Sequence, residues 1–384
     1  MNDKYFNCLV SKPIHHSTFS IQHFFRQKWC FGGILSLVLL GCQAEVQEYA
    51  GPVNMDAAAT LPYEHLSDYG FFAGRLTDQR PNTGVLPYDL ITPLFTDYAH
   101  KARFVWMPEG QSANVDAEGV LQFPDGAALI KTFYYPTDFR KPEQNRDLVE
   151  TRLLLKQAGD WQAYTYVWNE SQTDAELTVI GDYRDVEWVD LAGQKQQIEY
   201  VVPNKNQCKS CHNRQKELLP IGPKVRNLNV NYEYDDSPAN QLSKWVSLGY
   251  LDLADSPQSL PAVADWSSPE SGTVHERALA YLDVNCGHCH HPEGPAHTTG
   301  LYLQADQTNM GKLGFCKTPV AAGKGSGNRL YGIAPGEPDS SILVYRMEDS
   351  DPGVMMPELG RVIPHAEGIA LIREWIAGME DECN

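Results

Sequence analysis

Through residues 61–202, apolar and polar positions alternate with period two in short runs cut by turn residues. ETRLLLK (150–156) and QAYTYVW (162–168) flank Ala158-Gly159-Asp160, which predicts a hairpin. Runs at 177–180, 185–191 and 196–202 continue the pattern. Upstream, Leu121-Gln122-Phe123 and 128–135 are separated by Pro124-Asp125-Gly126. Tyr164, Tyr166 and Trp168 share one face of their strand, as do Ile198, Tyr200 and Val202. Many short strands with frequent turns predict an antiparallel sandwich or barrel-like module.

From residue 203 the period lengthens. In 240–253, Leu242, Trp245 and Val246 fall at helical spacing, with Gly249 near the end. In 273–285, a cap at Ser271 or Thr273 precedes an apolar stripe of Val274, Ala278, Tyr281 and Leu282. Ile369, Ile372, Trp375 and Ile376 predict a last helix over 366–379. The region after 203 carries two Cys-x-x-Cys-His pentads, at 208–212 and 286–290, each a c-type haem attachment signal, and the apolar run near the start ends in the lipobox-like Leu39-Leu40-Gly41-Cys42. The expected fold class is therefore α+β and multidomain: a β-sandwich-like module, then a mainly α-helical cytochrome c-type region. The expected division is a lipoprotein signal peptide (1–41), a linker (42–60), a β-rich module (61–202), a first haem c unit (203–265) and a second (266–384). The stretch 261–270 reads as the linker between those two units.

The two pentads that motivate that division read Cys208-Lys209-Ser210-Cys211-His212 and Cys286-Gly287-His288-Cys289-His290. In such a pentad two cysteines one helical turn apart can form thioethers to the vinyl groups of a haem. The histidine then reaches the iron from one side. The expected cofactors are two covalently bound haem c groups, with His212 and His290 as proximal ligands. The second ring nitrogen of each should donate to a carbonyl or similar acceptor, and Pro295 is placed to support one for His290.

For the opposite side of the second iron the choice is Met356, in DPGVMMPELG ahead of the terminal helix; Met355 and Met347 are its competitors. His/Met ligation raises the potential and favours electron transfer. The first haem has no local methionine, because none lies between Met107 and Met310. Its sixth ligand is His100, Met107 or absent, with His275 near the gap between the haems. A four-thiolate zinc site from Cys208, Cys211, Cys286 and Cys289 is disfavoured, since a histidine follows each Cys-x-x-Cys and the chain carries an export signal. His288, His291 and His297 read as loop histidines, and Asp235-Asp236 as a solvated turn.

That export signal is KWCFGGILSLVLLGC at 28–42. Its apolar run is too short to span a bilayer and fits a secretory segment. Leu39-Leu40-Gly41-Cys42 resembles a bacterial lipobox, which implies cleavage before Cys42, lipidation of its thiol and stable membrane anchoring. Gln43 in place of an aspartate points to the outer membrane, facing the periplasm. Of nine cysteines, Cys316 and Cys383 remain after the pentads, the lipobox and the leader (Cys8, Cys30); in an oxidising compartment they read as a disulfide. A net charge of −18 argues against nucleic acid and would steer a basic redox partner.

The phrases PYDLITPLFTDYAHKARFVWMPEG, IKTFYYP, ETRLLLK, VVPNKNQCKSCHNRQ, IGPKVRNLN, VHERALAYLDVNCGHCHHPEGPAHTTGL and VMMPELGR together resemble a family of bacterial dihaem c-type cytochromes, over nearly the whole mature chain. The resemblance implies haem c and export, and offers a parallel β-helix protein as a partner; it implies no substrate. The leading expectation is a lipid-anchored electron carrier whose β module docks a dehydrogenase or another redox protein. The rival is a dihaem peroxidase-like oxidoreductase with an open first haem. A third is a ligand-binding β module whose haems only relay.

Overall fold

The computed structural model of the protein describes residues 48–55 and 61–383. The expected signal peptide, lipidated Cys42 and most of the 42–60 linker lie outside them. Among the described residues no helix is long and apolar enough to cross a membrane.

Six strands form one antiparallel sheet in strict chain order: β1 (Val85–Tyr88), β2 (His100–Trp106), β3 (Ala128–Pro136), β4 (Arg146–Gln157), β5 (Asp160–Trp168) and β6 (Ala175–Thr178). The β4–β5 hairpin closes through Ala158 and Gly159, both at positive φ. This backbone matches the twist of the flanking strands and is cheapest at glycine. A separate hairpin, β7 (Asp182–Val189) and β8 (Lys195–Val202), supplies Val186, Trp188, Ile198, Tyr200 and Val202 to a core with Phe133, Tyr135 and Val149 of the sheet.

The two faces of the sheet are covered differently. On one, Phe104, Ile130, Leu153, Tyr166 and Trp168 pack under Leu66, Tyr69, Phe71 and Phe72. The other bears the β7–β8 core at one end. At its other end Val105 and Leu129 meet Val225, Leu228, Leu242 and Trp245 from beyond residue 203. Between those two apolar ends the second face stays open.

The architecture corrects the expected fold class in both halves. The β-rich part is a single meander sheet with a hairpin laid on it. Alternation identifies strands and buried faces, but says nothing about sharing strands between sheets; here each strand pairs with its successor, although only β4 and β5 are joined by a tight turn. The region after 203 is not mainly helical. Its helices are short: α1 (Lys205–Cys211), α2 (Gln241–Ser247), α3 (Val274–Asn285), α4 (Ile342–Glu348), α5 (Ala366–Ala377) and two single turns. Proline and glycine interrupt the rest, as in Pro220-Ile221-Gly222-Pro223 and Gly323 to Gly327.

The predicted helices exist with trimmed ends. α2 stops before Gly249, which has φ 73°, and leaves Val246 40% exposed rather than in the core. α3 begins at a Thr273–Glu276 capping box. α3 and α5 pack through Ala278, Leu282, Ile369, Ile372 and Ile376. The stretch read as a linker is fixed in place: Val263 N donates to Arg226 O at 2.8 Å, Thr92 Oγ1 donates to Ala264 O at 2.9 Å, and Trp266 packs on Tyr281 and His365. Val46–Asn384 forms one compact unit. Within it Cys316 and Cys383 are joined by a disulfide with S–S 2.08 Å.

Candidate haem sites

On the open face of the sheet, strand register sets five side chains in one lateral row: Tyr88, Arg103, Lys131, Arg152 and Thr165 are successive cross-strand partners on β1 to β5. All five line a cavity of about 380 Å³. Arg103 pairs with Asp89. Arg152 donates to both oxygens of the buried Glu150, at 2.8 and 2.5 Å, and Tyr200 Oη donates to the same carboxylate at 2.6 Å. Burial opposes the charge on Arg152, but Glu150 outweighs it and holds the guanidinium protonated. Lys131 has neither hydrogen bond nor ion pair among the described residues; its Nζ stands 4.7 Å from the centre of the Phe133 ring. Burial, then Arg103 and Lys101, push its pKa well below the ordinary value.

The first pentad reaches this cavity through α1. Asn204 caps α1, accepting from the Asn206 and Gln207 amides while Gln207 bonds back. Cys208, Cys211 and His212 all line the cavity. His212 Nδ1 donates to Leu219 O at 2.7 Å, which places the proton on Nδ1 and leaves Nε2 with a free lone pair. Burial is the main cause that lowers the His212 pKa to about 3, so the ring is neutral at physiological pH.

The second pentad follows α3 directly and borders an adjoining cavity of about 650 Å³. His290 Nδ1 meets Thr299 Oγ1 at 3.3 Å, and that hydroxyl donates to Ala296 O at 2.7 Å. The hydroxyl proton is thus committed, and its oxygen accepts from the imidazole. Pro295 lines the cavity, but the acceptor for His290 is Thr299. Burial lowers the His290 pKa to about 4.

The two cavities share a wall that includes Cys211, Cys286, His288 and Met356. There Sγ of Cys211, a ring nitrogen of His288 and Sγ of Cys289 lie within 4.8 Å of one another. Contact with Cys289, then with His288, lowers the Cys211 thiol pKa, while contact with Cys211 raises that of Cys289. Cys208 and Cys286 stand outside this group, so the four cysteines do not assemble a four-thiolate site.

The Met355-Met356 loop is held by Arg361. Its Nη2 donates to the carbonyls of Arg346, Met347, Asp349 and Met356 at 2.9 to 3.2 Å. Met356 and Met347 both border the two cavities and so share one with His290, but Met347 is packed into the α3–α5 core; Met355 borders only the first.

Other expectations are redirected. His100 borders neither cavity, and its ring packs on Tyr134 and Phe139. Met107 is a core side chain beside Leu86 and Tyr88. Strand alternation turns His100 to the opposite face, whereas Met107 falls at the filled apolar end of the second face, with Val105 and Leu129. His275 Nδ1 accepts from Trp375 Nε1 at 3.0 Å. His291 and His297 bond within their own loop, whereas His288 lies at the junction of the cavities. Asp236 pairs with Lys244 at 2.6 Å. Sequence reasoning missed Arg103, Lys131, Arg152, Thr299 and Arg361. The signal available for Lys131 was a lone lysine inside the apolar run ALIKTFYY.

No family model matches the chain, and neither the curated proteins nor the solved structures compared with it gave a match.

Proposed function

We propose that this protein is a dihaem c-type cytochrome that passes electrons between a redox partner and an acceptor. The observation that carries this reading is the convergence of both pentads, with Cys211 and Cys289 inside the same 4.8 Å group at the wall between two cavities. Groups tethered at those sulfurs would be held close to one another, as electron exchange needs.

The residues fit such groups on three counts. Each pentad histidine carries its proton on Nδ1 and leaves Nε2 free for a metal. The cavities together are large and lined mainly by apolar side chains, as cofactor sites are. Two buried donors on the wall of the first, Arg103 Nε and Arg361 Nη1, have no partner; a haem brings two propionates, and a carboxylate satisfies a buried guanidinium well. Cys208, Cys211 and His212 would hold one haem c, and Cys286, Cys289, His290 and Met356 the other. Each would supply a one-electron iron centre, while the chain supplies ligands, exclusion of water and charge.

With this reading go export, lipidation at Cys42 and a position on the periplasmic side of a bacterial membrane, the outer one. The partner would be a periplasmic redox protein or dehydrogenase, or the β-helix protein that the resemblance offers. The net charge of −18 would speed encounter with a basic partner.

The test is to produce the chain with a c-type maturation system and weigh it intact after denaturation in acid-acetone. A gain of two haem masses and a haem c pyridine haemochrome are expected. Colourless protein with bound zinc would overturn the reading and assign Cys211, His288 and Cys289 to a metal ion. Peroxide turnover at a high-spin iron would replace the carrier by the peroxidase-like enzyme.

A further inference from the structure

We propose that Lys131 supplies the second axial ligand to the iron of the haem tethered at Cys208 and Cys211, approaching from the sheet side of the first cavity. This rests on the dihaem reading and fills the position for which the sequence offered His100, Met107 or nothing.

Three observations carry it. The amine projects from the middle of the row Arg103–Lys131–Arg152 into the cavity that His212 also lines. β3 is hydrogen-bonded on both sides, to β2 and β4, so the sheet fixes where that side chain starts. The tethering residues Cys208 and Cys211 line this same cavity with Lys131 and His212.

The amine is also the uncommitted one. Arg103 has Asp89, Arg152 has Glu150, and Lys101 Nζ donates to Ala99 O at 2.9 Å. Lys131 is half-buried and its amine opens to the cavity; an ammonium closed in there by a bound haem, without a counter-charge or acceptor, would be costly. Bound to iron, the neutral amine spends its lone pair on the metal and no buried charge is left.

Other donors in that wall have other attachments. His365 Nδ1 meets Tyr281 Oη at 3.0 Å, and its ring stacks on Phe95. His288 lies inside the second pentad, at the Cys211–Cys289 contact. Met356 shares the His290 cavity. Met347 also lines this cavity but is packed into the α3–α5 core; Met355 is the remaining competitor, on the loop that Arg361 holds.

The experiment compares the wild-type holoprotein with Lys131→Leu, Lys131→Met and Met355→Leu, reading oxidised-state electron paramagnetic resonance, near-infrared magnetic circular dichroism and cyanide binding. Intact mass counts the haems in each. Wild type should contain two low-spin irons, one with an amine–imidazole signature. Lys131→Leu should turn one iron high-spin and open it to cyanide. Lys131→Met should return that iron to low spin with a second thioether band, which also shows that the variant folds. Two attached haems with spin states unchanged in Lys131→Leu would overturn the ligand and leave the dihaem reading standing. So would a high-spin iron in wild type, or one created by Met355→Leu. Wild type without attached haem would overturn both proposals.

Discussion

Gly287 separates Cys286 from His288 in the second pentad, and there is no room there for a side chain. A Cβ at that position would lie 2.7 Å from Asp283 O and 2.9 Å from Leu303 O, and both are backbone atoms that cannot swing aside. Gly287→Ala should therefore cost about 1–3 kcal/mol by forcing the backbone apart, read as a lower urea midpoint at unchanged slope. The first pentad carries Lys209 and Ser210 between its cysteines, so the restriction belongs to the packing of α3 against the Leu303 segment and not to the motif. At the same scale, on the proposed dihaem reading, Met356→Ala should abolish the near-infrared thioether-to-iron band of the oxidised holoprotein while leaving the intact mass gain of two haems unchanged. A band that survives would pass the ligand role to Met355 or Met347. These residues were legible to unequal degrees. A covalent tether needs contiguous residues, so the pentads stand out in one dimension. Thr299 is hidden because its hydroxyl reaches His290 only after the chain turns through Ala296.

At the scale of elements, α3 is oriented by Asp283, which is 8% exposed and bonds Lys224 Nζ at 3.2 Å and Arg226 Nη2 at 3.0 Å. Burial opposes ionisation of Asp283, yet the two cations outweigh it and hold the carboxyl below its ordinary 3.8. A carboxyl whose pKa falls on folding adds stability that is complete above its unfolded value and drains away as acid titrates the folded form. The wild type should thus lose this contribution below pH 3.8, and Asp283→Asn should show a flatter stability profile there. At neutral pH the variant should be about 3 kcal/mol less stable, the lower end for stripping a partner from a buried pair, since Lys224 remains 28% exposed. Equal acid slopes in the two proteins would show that Asp283 does not report the contact. Elements also mark the limit of sequence reading. The period-two pattern found β3, β4 and β5, but the row Arg103–Lys131–Arg152 depends on the register between strands, which period alone does not fix. The hairpin turn at Ala158-Gly159 carried enough local chemistry to set one register, β4 to β5, and no more.

For the whole molecule the question is why a chain read as separate modules holds together as one unit. The segment 92–98 laces the sheet to the second pentad's region. Phe95 N donates to Asn285 Oδ1 at 2.8 Å, Asp97 Oδ1 accepts from Val362 and Ile363 at 2.7 and 3.0 Å, and Tyr98 Oη donates to Glu367 at 2.8 Å. Long-range ties of this kind leave no signature in a linear pattern, because each partner alone is an ordinary polar residue. The first cavity takes its walls from both sides of that lacing, so the sheet and the pentads should unfold together. The disulfide adds a second long-range tie, from Cys316 across 67 residues to Cys383 just beyond α5. Closing a loop of that length restricts the unfolded chain by about 4 kcal/mol on the chain-entropy account. Cys383→Ser should lower stability by about that amount, seen as one cooperative transition moved to lower temperature. If the variant melts in two steps, with α5 and the Met356 loop leaving first, the disulfide fastens a local flap and the molecule is not a single cooperative body.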